Sequence, residues 1–91
     1  MARLISEHDK MVRRVAAGYL AQGYRVKADI IGYPRPPTVC GRRADVTASK
    51  RGDRVMVEVE TERSFFEDQS QRRMLRRCAH RNGGRFRTVV V

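Results

Sequence analysis

Apolar and polar positions along this chain repeat with two different periods. From Leu4 to about Gln22 the apolar residues Leu4, Ile5, Met11, Val12, Val15, Ala16, Tyr19 and Leu20 recur at helical spacing, with Lys10, Arg13 and Arg14 largely off that stripe. The pattern predicts an amphipathic helix closed by Gly23. Ser6 and Asp9 have the spacing of a capping pair, so the regular helix is expected to start there and to leave a lead-in before it. Tyr24 to Ile31 then alternates with period two, as a half-buried strand does. Gly32-Tyr33-Pro34-Arg35-Pro36-Pro37 carries every proline of the chain and reads as a loop. A β-hairpin follows, with strands at Arg43 to Ala48 and Arg54 to Thr61 around a turn at Lys50-Arg51-Gly52-Asp53. Ser64 and Glu67 repeat the capping spacing and predict a helix running to Asn82, ended by Gly83-Gly84, before an apolar, β-branched strand from Phe86 to Val91. The order α-β-β-β-α-β predicts an α/β fold, a mixed sheet flanked by helices, with no internal repeat.

Length adds that residues 1–91 make a single domain with room for one modest core. Any site must therefore lie on the core elements themselves or be completed by a second subunit, which makes a homodimer an expectation. Lys and Arg together number 20 against 10 acids, a net charge of +10, and arginine greatly outnumbers lysine. The guanidinium fork suits phosphate oxygens, so the expected partner is nucleic acid, DNA first and RNA not excluded. A GC-rich coding bias would raise arginine overall without clustering it. Here Arg42 and Arg43 are adjacent, Arg51 sits in the hairpin turn, and Arg72, Arg73, Arg76 and Arg77 form one ridge of the second long helix. Like charges at that spacing oppose helix formation, and phosphate binding is the simplest compensation. With few aromatic residues, recognition should run through the backbone and its shape. Cys40 and Cys78 lie far apart in the sequence, form no Cys-x-x-Cys pair and read as ordinary reduced thiols. No apolar run reaches the length of a membrane span and no signal-peptide core opens the chain, so a cytoplasmic protein without membrane contact is expected.

The acids change this picture most. In Arg54-Val55-Met56-Val57-Glu58-Val59-Glu60-Thr61 the valines point to one face of a strand and Glu58 and Glu60 to the other. Two carboxylates about 7 Å apart on one strand, with Asp45 on its neighbour, would repel by roughly 1–4 kcal/mol per close pair unless a cation lay between them. Asp45 and Glu58 suit Mg²⁺ or Mn²⁺, which want one or two carboxylates plus waters and substrate oxygens. Glu60 could bind a second ion or accept a proton. The bland alternative is a wet strand face in which Glu58, Glu60 and Glu62 pair with arginines of a neighbour.

Taken together, Arg43-Ala44-Asp45-Val46, then Val57-Glu58-Val59-Glu60-Thr61, then a basic helix and Gly83-Gly84 before a terminal apolar strand resemble the PD-(D/E)XK nuclease superfamily. The likeness is closest to its small archaeal Holliday-junction-resolvase branch and covers Gly41 to Val91. The resemblance implies a minimal restriction-endonuclease-like core, Asp45 and Glu58 as catalytic, metal-binding acids, and an endonuclease hydrolysing DNA phosphodiester bonds, selective for branched or junction DNA. It places Glu60 where the family usually has lysine, and Ala44 where the motif has proline. Some restriction endonucleases of the superfamily have glutamate at that place and still cut. Gln71 resembles a glutamine that several branches carry near the site, and Glu7 or His8 is the counterpart of an acid found on the first helix; the sequence does not choose between them. Two other classes stay open: an inert nucleic-acid-binding module that keeps the fold, and a basic interaction subunit of a nucleoprotein complex.

Overall fold

The computed structural model describes residues 6–91, so Leu4 and Ile5 of the predicted stripe lie outside the described residues. Helix α1 (Glu7–Ala21) starts where the capping pair predicts: the Asp9 N–H donates to Ser6 Oγ at 3.1 Å. That bond satisfies one of the amides that a helix start leaves without a partner. Strand β1 (Arg25–Ala28) is followed by a small hairpin, β2 (Thr38–Val39) and β3 (Arg42–Arg43), and then by β4 (Val46–Lys50) and β5 (Asp53–Glu60). Helices α2 (Glu62–Glu67) and α3 (Gln69–Arg81) lead to the last strand, β6 (Arg85–Val90). The main sheet has the order β1-β4-β5-β6, antiparallel except for the parallel pair β5/β6. A parallel pair needs a crossover, and α2 with α3 supplies it.

Period two on β5 divides the core. Val55, Val57 and Val59 pack with Val12 and Ala16 of α1 on one face of the sheet. Met56 packs with Leu75 and Ala79 of α3 and with Ala44 on the other. The protein is therefore a mixed α/β fold with helices on both faces, and β5, buried from Val55 to Glu60, is its centre. The β4–β5 turn is a two-residue loop in which Arg51 and Gly52 both have positive φ, 47° and 86°. This handedness matches the twist of the flanking strands, and glycine adopts it without steric cost.

The structure departs from the sequence expectations at four places. Strand β1 ends at Ala28 rather than Ile31, because the Ala28 N–H turns to Pro34 O and the Asp29 N–H to Asp45 O, each at 2.9 Å. Arg43 does not begin the strand that contains Val46; it pairs with Thr38 in the small hairpin. The second helical segment is capped one turn early, by Thr61, whose Oγ1 accepts the Ser64 N–H, so Ser64 is a partner in the capping box rather than its start. The segment also divides at Asp68, whose φ of −104° and ψ of 29° are not helical. Finally, Cys40 and Cys78 are not independent thiols: they are joined as a disulfide, with Cα atoms 6.5 Å apart. Sequence separation said nothing about this distance. The β2–β3 hairpin lies across the α3 face of the sheet and carries Cys40 to the helix.

Candidate functional site

Asp45, Glu58 and Glu60 converge where β4 begins and β5 ends. Asp45 lies one residue before Val46, which is in register with Val57, so its backbone comes opposite Glu58. Its Oδ2 accepts the Val59 N–H at 2.8 Å, an amide that β4 is too short to pair. This bond ties the Asp45 carboxylate to the strand that carries both glutamates.

The wet-face alternative fails on burial: Glu58 is 4 % exposed and Glu60 7 %. Glu62, by contrast, has passed into the first turn of α2 and faces solvent. Among the described residues no ion pair reaches Glu58 or Glu60, and Glu58 Oε1 is buried without a hydrogen-bond partner. Burial, then the charge and hydrogen bonding of Asp45, push the Glu58 carboxyl up to about 8, against the opposing pull of Arg42. A buried carboxyl that cannot easily ionise alone is what a missing counter-charge produces.

Two further groups frame the pair. Thr88 on β6 is in register with Glu58, and its Oγ1 is likewise buried without a partner. From the other side His8 of α1 reaches in, its Nε2 3.4 Å from Asp45 Oδ2 and its Nδ1 3.2 Å from Asp9 Oδ1. Burial pulls the His8 pKa down, but the hydrogen bond to Asp9 and the charge of Asp45 outweigh it and leave it above 6.5. Of the two residues named on the first helix, Glu7 is solvent-exposed and paired with Lys10 at 3.3 Å, whereas His8 stands beside Asp45.

Among the described residues no three His, Cys, Asp or Glu side chains form a closed metal cage. What is present is a carboxylate pair with an unsatisfied oxygen. That donor set fits a hard divalent cation that keeps several waters, and does not fit zinc.

The basic residues singled out in the sequence stand in different surroundings. Arg42 lies close enough to Glu58 to lower its pKa. Arg43 is engaged in structure, its Nε donating to Pro36 O at 3.1 Å. Arg72 is half-buried with its guanidinium 3.9 Å from the centre of the Phe65 ring and one Nη buried without a partner, so it leaves the solvated ridge that Arg73, Arg76 and Arg77 form. Gln71 is half-buried in the first turn of α3. Arg51 stands in the β4–β5 turn, at the end of that hairpin opposite Asp45. Sequence reasoning missed Thr88, whose place follows only from the β5/β6 register, and the cations Arg25, Lys27 and Arg54. The alternation from Tyr24 to Ile31 puts Arg25 and Lys27 on one face of a half-buried strand without showing what that face meets. No family model matches the chain, and no curated protein is similar enough to it to count as a relative.

Proposed function

We propose that the protein is a metal-dependent endonuclease that hydrolyses DNA phosphodiester bonds, with a restriction-endonuclease-like core and with Asp45 and Glu58 as its metal-holding acids. One observation carries the reading: a buried glutamate with an unpartnered oxygen, set beside a second carboxylate, in a chain of net charge +10. Such an arrangement costs the fold stability, and a cation held by Asp45 and Glu58 would remove that cost.

Mg²⁺ or Mn²⁺, when bound, supplies a Lewis acid for the phosphate and a water of lowered pKa. The remaining roles belong to the chain. Asp45 is oriented by the Val59 amide and by His8, so its free oxygen is available for coordination. Glu58 would hold the ion in its ionised form, with Asp45 as the second ligand. Glu60, two residues on and on the same face of β5, accepts the proton of the attacking water. Arg42 offsets charge at the phosphate, the task the lysine performs in the family that the chain resembles. Selection of branched DNA and action as a homodimer belong to the same proposal. So does a cytoplasmic setting, in which thiol reductants would act on the Cys40–Cys78 pair; among the described residues no helix is long and apolar enough to cross a membrane.

The test is cleavage of labelled linear, nicked and four-way-junction DNA with Mg²⁺ or Mn²⁺, comparing the native chain with Asp45→Asn and Glu58→Gln, which keep side-chain shape. Cutting that needs the metal and is lost in both variants is the expected result. Tight binding without any cutting would instead make the protein an inert nucleic-acid-binding module, with Glu60 in place of lysine as the reason.

A further inference from the structure

The α3 face of the sheet has a second region of distinct chemistry. Arg25 and Lys27 alternate with the buried Val26 and Ala28, so both project from β1 on the side away from α1. Their register partners on β4 are Ser49 and Thr47, and the β5 partner of Ser49 is Arg54. Arg25, Lys27 and Arg54 therefore share one patch of the sheet that α3 leaves open. The segment from Pro34 to Cys40 and the C-terminal end of α3 rise beside this patch and make it a cleft of about 870 Å³. A smaller cavity of about 520 Å³ continues it toward Arg51 and shares Arg25 and Arg54 with it.

The cleft is one-sided in charge. No carboxylate lines it, and among the described residues Arg25, Lys27 and Arg54 have no acid within ion-pair distance. Asp53, the nearest acid in sequence to Arg54, is taken by Arg85 at 2.9 Å and by the Tyr24 hydroxyl. Three unpaired cations facing one cavity repel one another and attract an anion. Ser49 and Thr47 lie between them, and the rest of the floor is largely apolar, with Val39, Met56 and Ala79. A cationic rim over an apolar floor, in a volume typical of small-molecule sites, suits a nucleotide better than a bare phosphate. The Cys40–Cys78 disulfide and the Arg43 bond to Pro36 O hold the wall that encloses it. A walled cleft admits an unpaired nucleotide and not the middle of a duplex.

This region is not the acid site seen from another side. The packed cluster of Ala44, Met56, Leu75 and Ala79 separates them, and Arg54 precedes Glu58 by four residues on β5, about 13 Å.

We propose that this cleft binds an unpaired nucleotide of a nucleic-acid strand, its phosphate on Arg25, Lys27 and Arg54 and its base on Met56 and Val39. The proposal deepens the nuclease reading and rests on it only for the identity of the strand as DNA. At the roughly 3.4 Å rise of a stacked strand, the separation from Glu58 of about 13 Å corresponds to about four nucleotides.

The experiment is fluorescence anisotropy with a labelled single-stranded thymidine oligomer and a blunt duplex, in EDTA so that no cutting competes. A triple variant, Arg25→Ala with Lys27→Ala and Arg54→Ala, is compared with one of equal charge loss, Arg73→Ala with Arg76→Ala and Arg77→Ala, after melts establish that both fold. The cleft variant should lose at least tenfold in single-strand affinity. Its slope of log K against log salt should fall by about 0.7, the value for one phosphate contact on a single strand. Thymidine monophosphate should displace the oligomer from the native chain better than inorganic phosphate does. Equal losses in the two triple variants, single-strand binding by the cleft variant like that of the native chain, or equal competition by the two anions would each overturn the proposal. If the native chain cuts nothing while the cleft variant alone loses binding, the nuclease reading falls and the cleft stands.

Discussion

Glu58→Gln removes a charge while keeping the shape of the side chain, and its effect on stability should change with pH in a definite direction. In the folded protein burial, with the charge and hydrogen bonding of Asp45, holds the Glu58 carboxyl at about 8, above its ordinary 4.5. Between these values the native state keeps a proton that the unfolded chain has released. The stability this group contributes is thus complete below pH 4.5 and is lost as the pH rises through 8. One proton of difference changes the unfolding free energy by up to about 1.4 kcal/mol per pH unit; allowing for solvent screening at the mouth of the site, roughly half of that should appear. For a domain of this size that is about 3–6 °C of Tm per pH unit. Glu58→Gln should melt close to the native chain at pH 5 and about 9–18 °C above it at pH 8. Thermal unfolding followed by circular dichroism, in EDTA, at pH 5, 6, 7 and 8 makes the comparison. His8 contributes a slope of the same sign to both chains, since its raised pKa also favours the acid side, so the difference between the two curves isolates Glu58. Saturating Mg²⁺ at pH 8 should reverse the order, because a cation at 100 times its Kd adds about 2.7 kcal/mol to a chain that can bind it. Parallel Tm–pH curves for the two chains, or no Mg²⁺ stabilisation of the native chain, would refute the reasoning.

Other outcomes follow from the same geometry. Asp45→Ala should destabilise by about 1–3 kcal/mol relative to Asp45→Asn in urea unfolding, because alanine leaves the buried Val59 amide without an acceptor while asparagine can still supply one. Reduction of Cys40–Cys78, or Cys40→Ser, opens a link between residues 38 apart and should cost about 4 kcal/mol on the chain-entropy relation, read as a fall in Tm under reductant. Gly84→Ala would place a Cβ 3.1 Å from the Arg54 carbonyl oxygen and 3.3 Å from Arg54 Cβ, so a loss of about 1–3 kcal/mol is expected by the same unfolding assay. Leu75→Ala, which empties part of the α3 side of the core, should cost about 2–5 kcal/mol.

Local pattern alone determined a good deal of this protein. The Ser6 cap, the amphipathic α1, the Arg51-Gly52 turn, the alternation along β5 and the terminal strand are each written in neighbouring residues, since period, capping geometry and positive φ are properties of a few consecutive positions. The same period placed Glu58 and Glu60 on one face. What the pattern could not state was how that face would be covered. Alternation looks the same whether the polar side meets water or a helix, so the burial of Glu58 and Glu60 and the enclosure of the patch formed by Arg25, Lys27 and Arg54 followed only once α3 and the β2–β3 hairpin packed against the sheet. Tertiary structure likewise decided that His8 and not Glu7 meets Asp45, that Thr88 stands beside Glu58, and that Cys40 meets Cys78. Each of these joins residues from distant parts of the chain. Such distances depend on crossover and register, which no short stretch of sequence encodes.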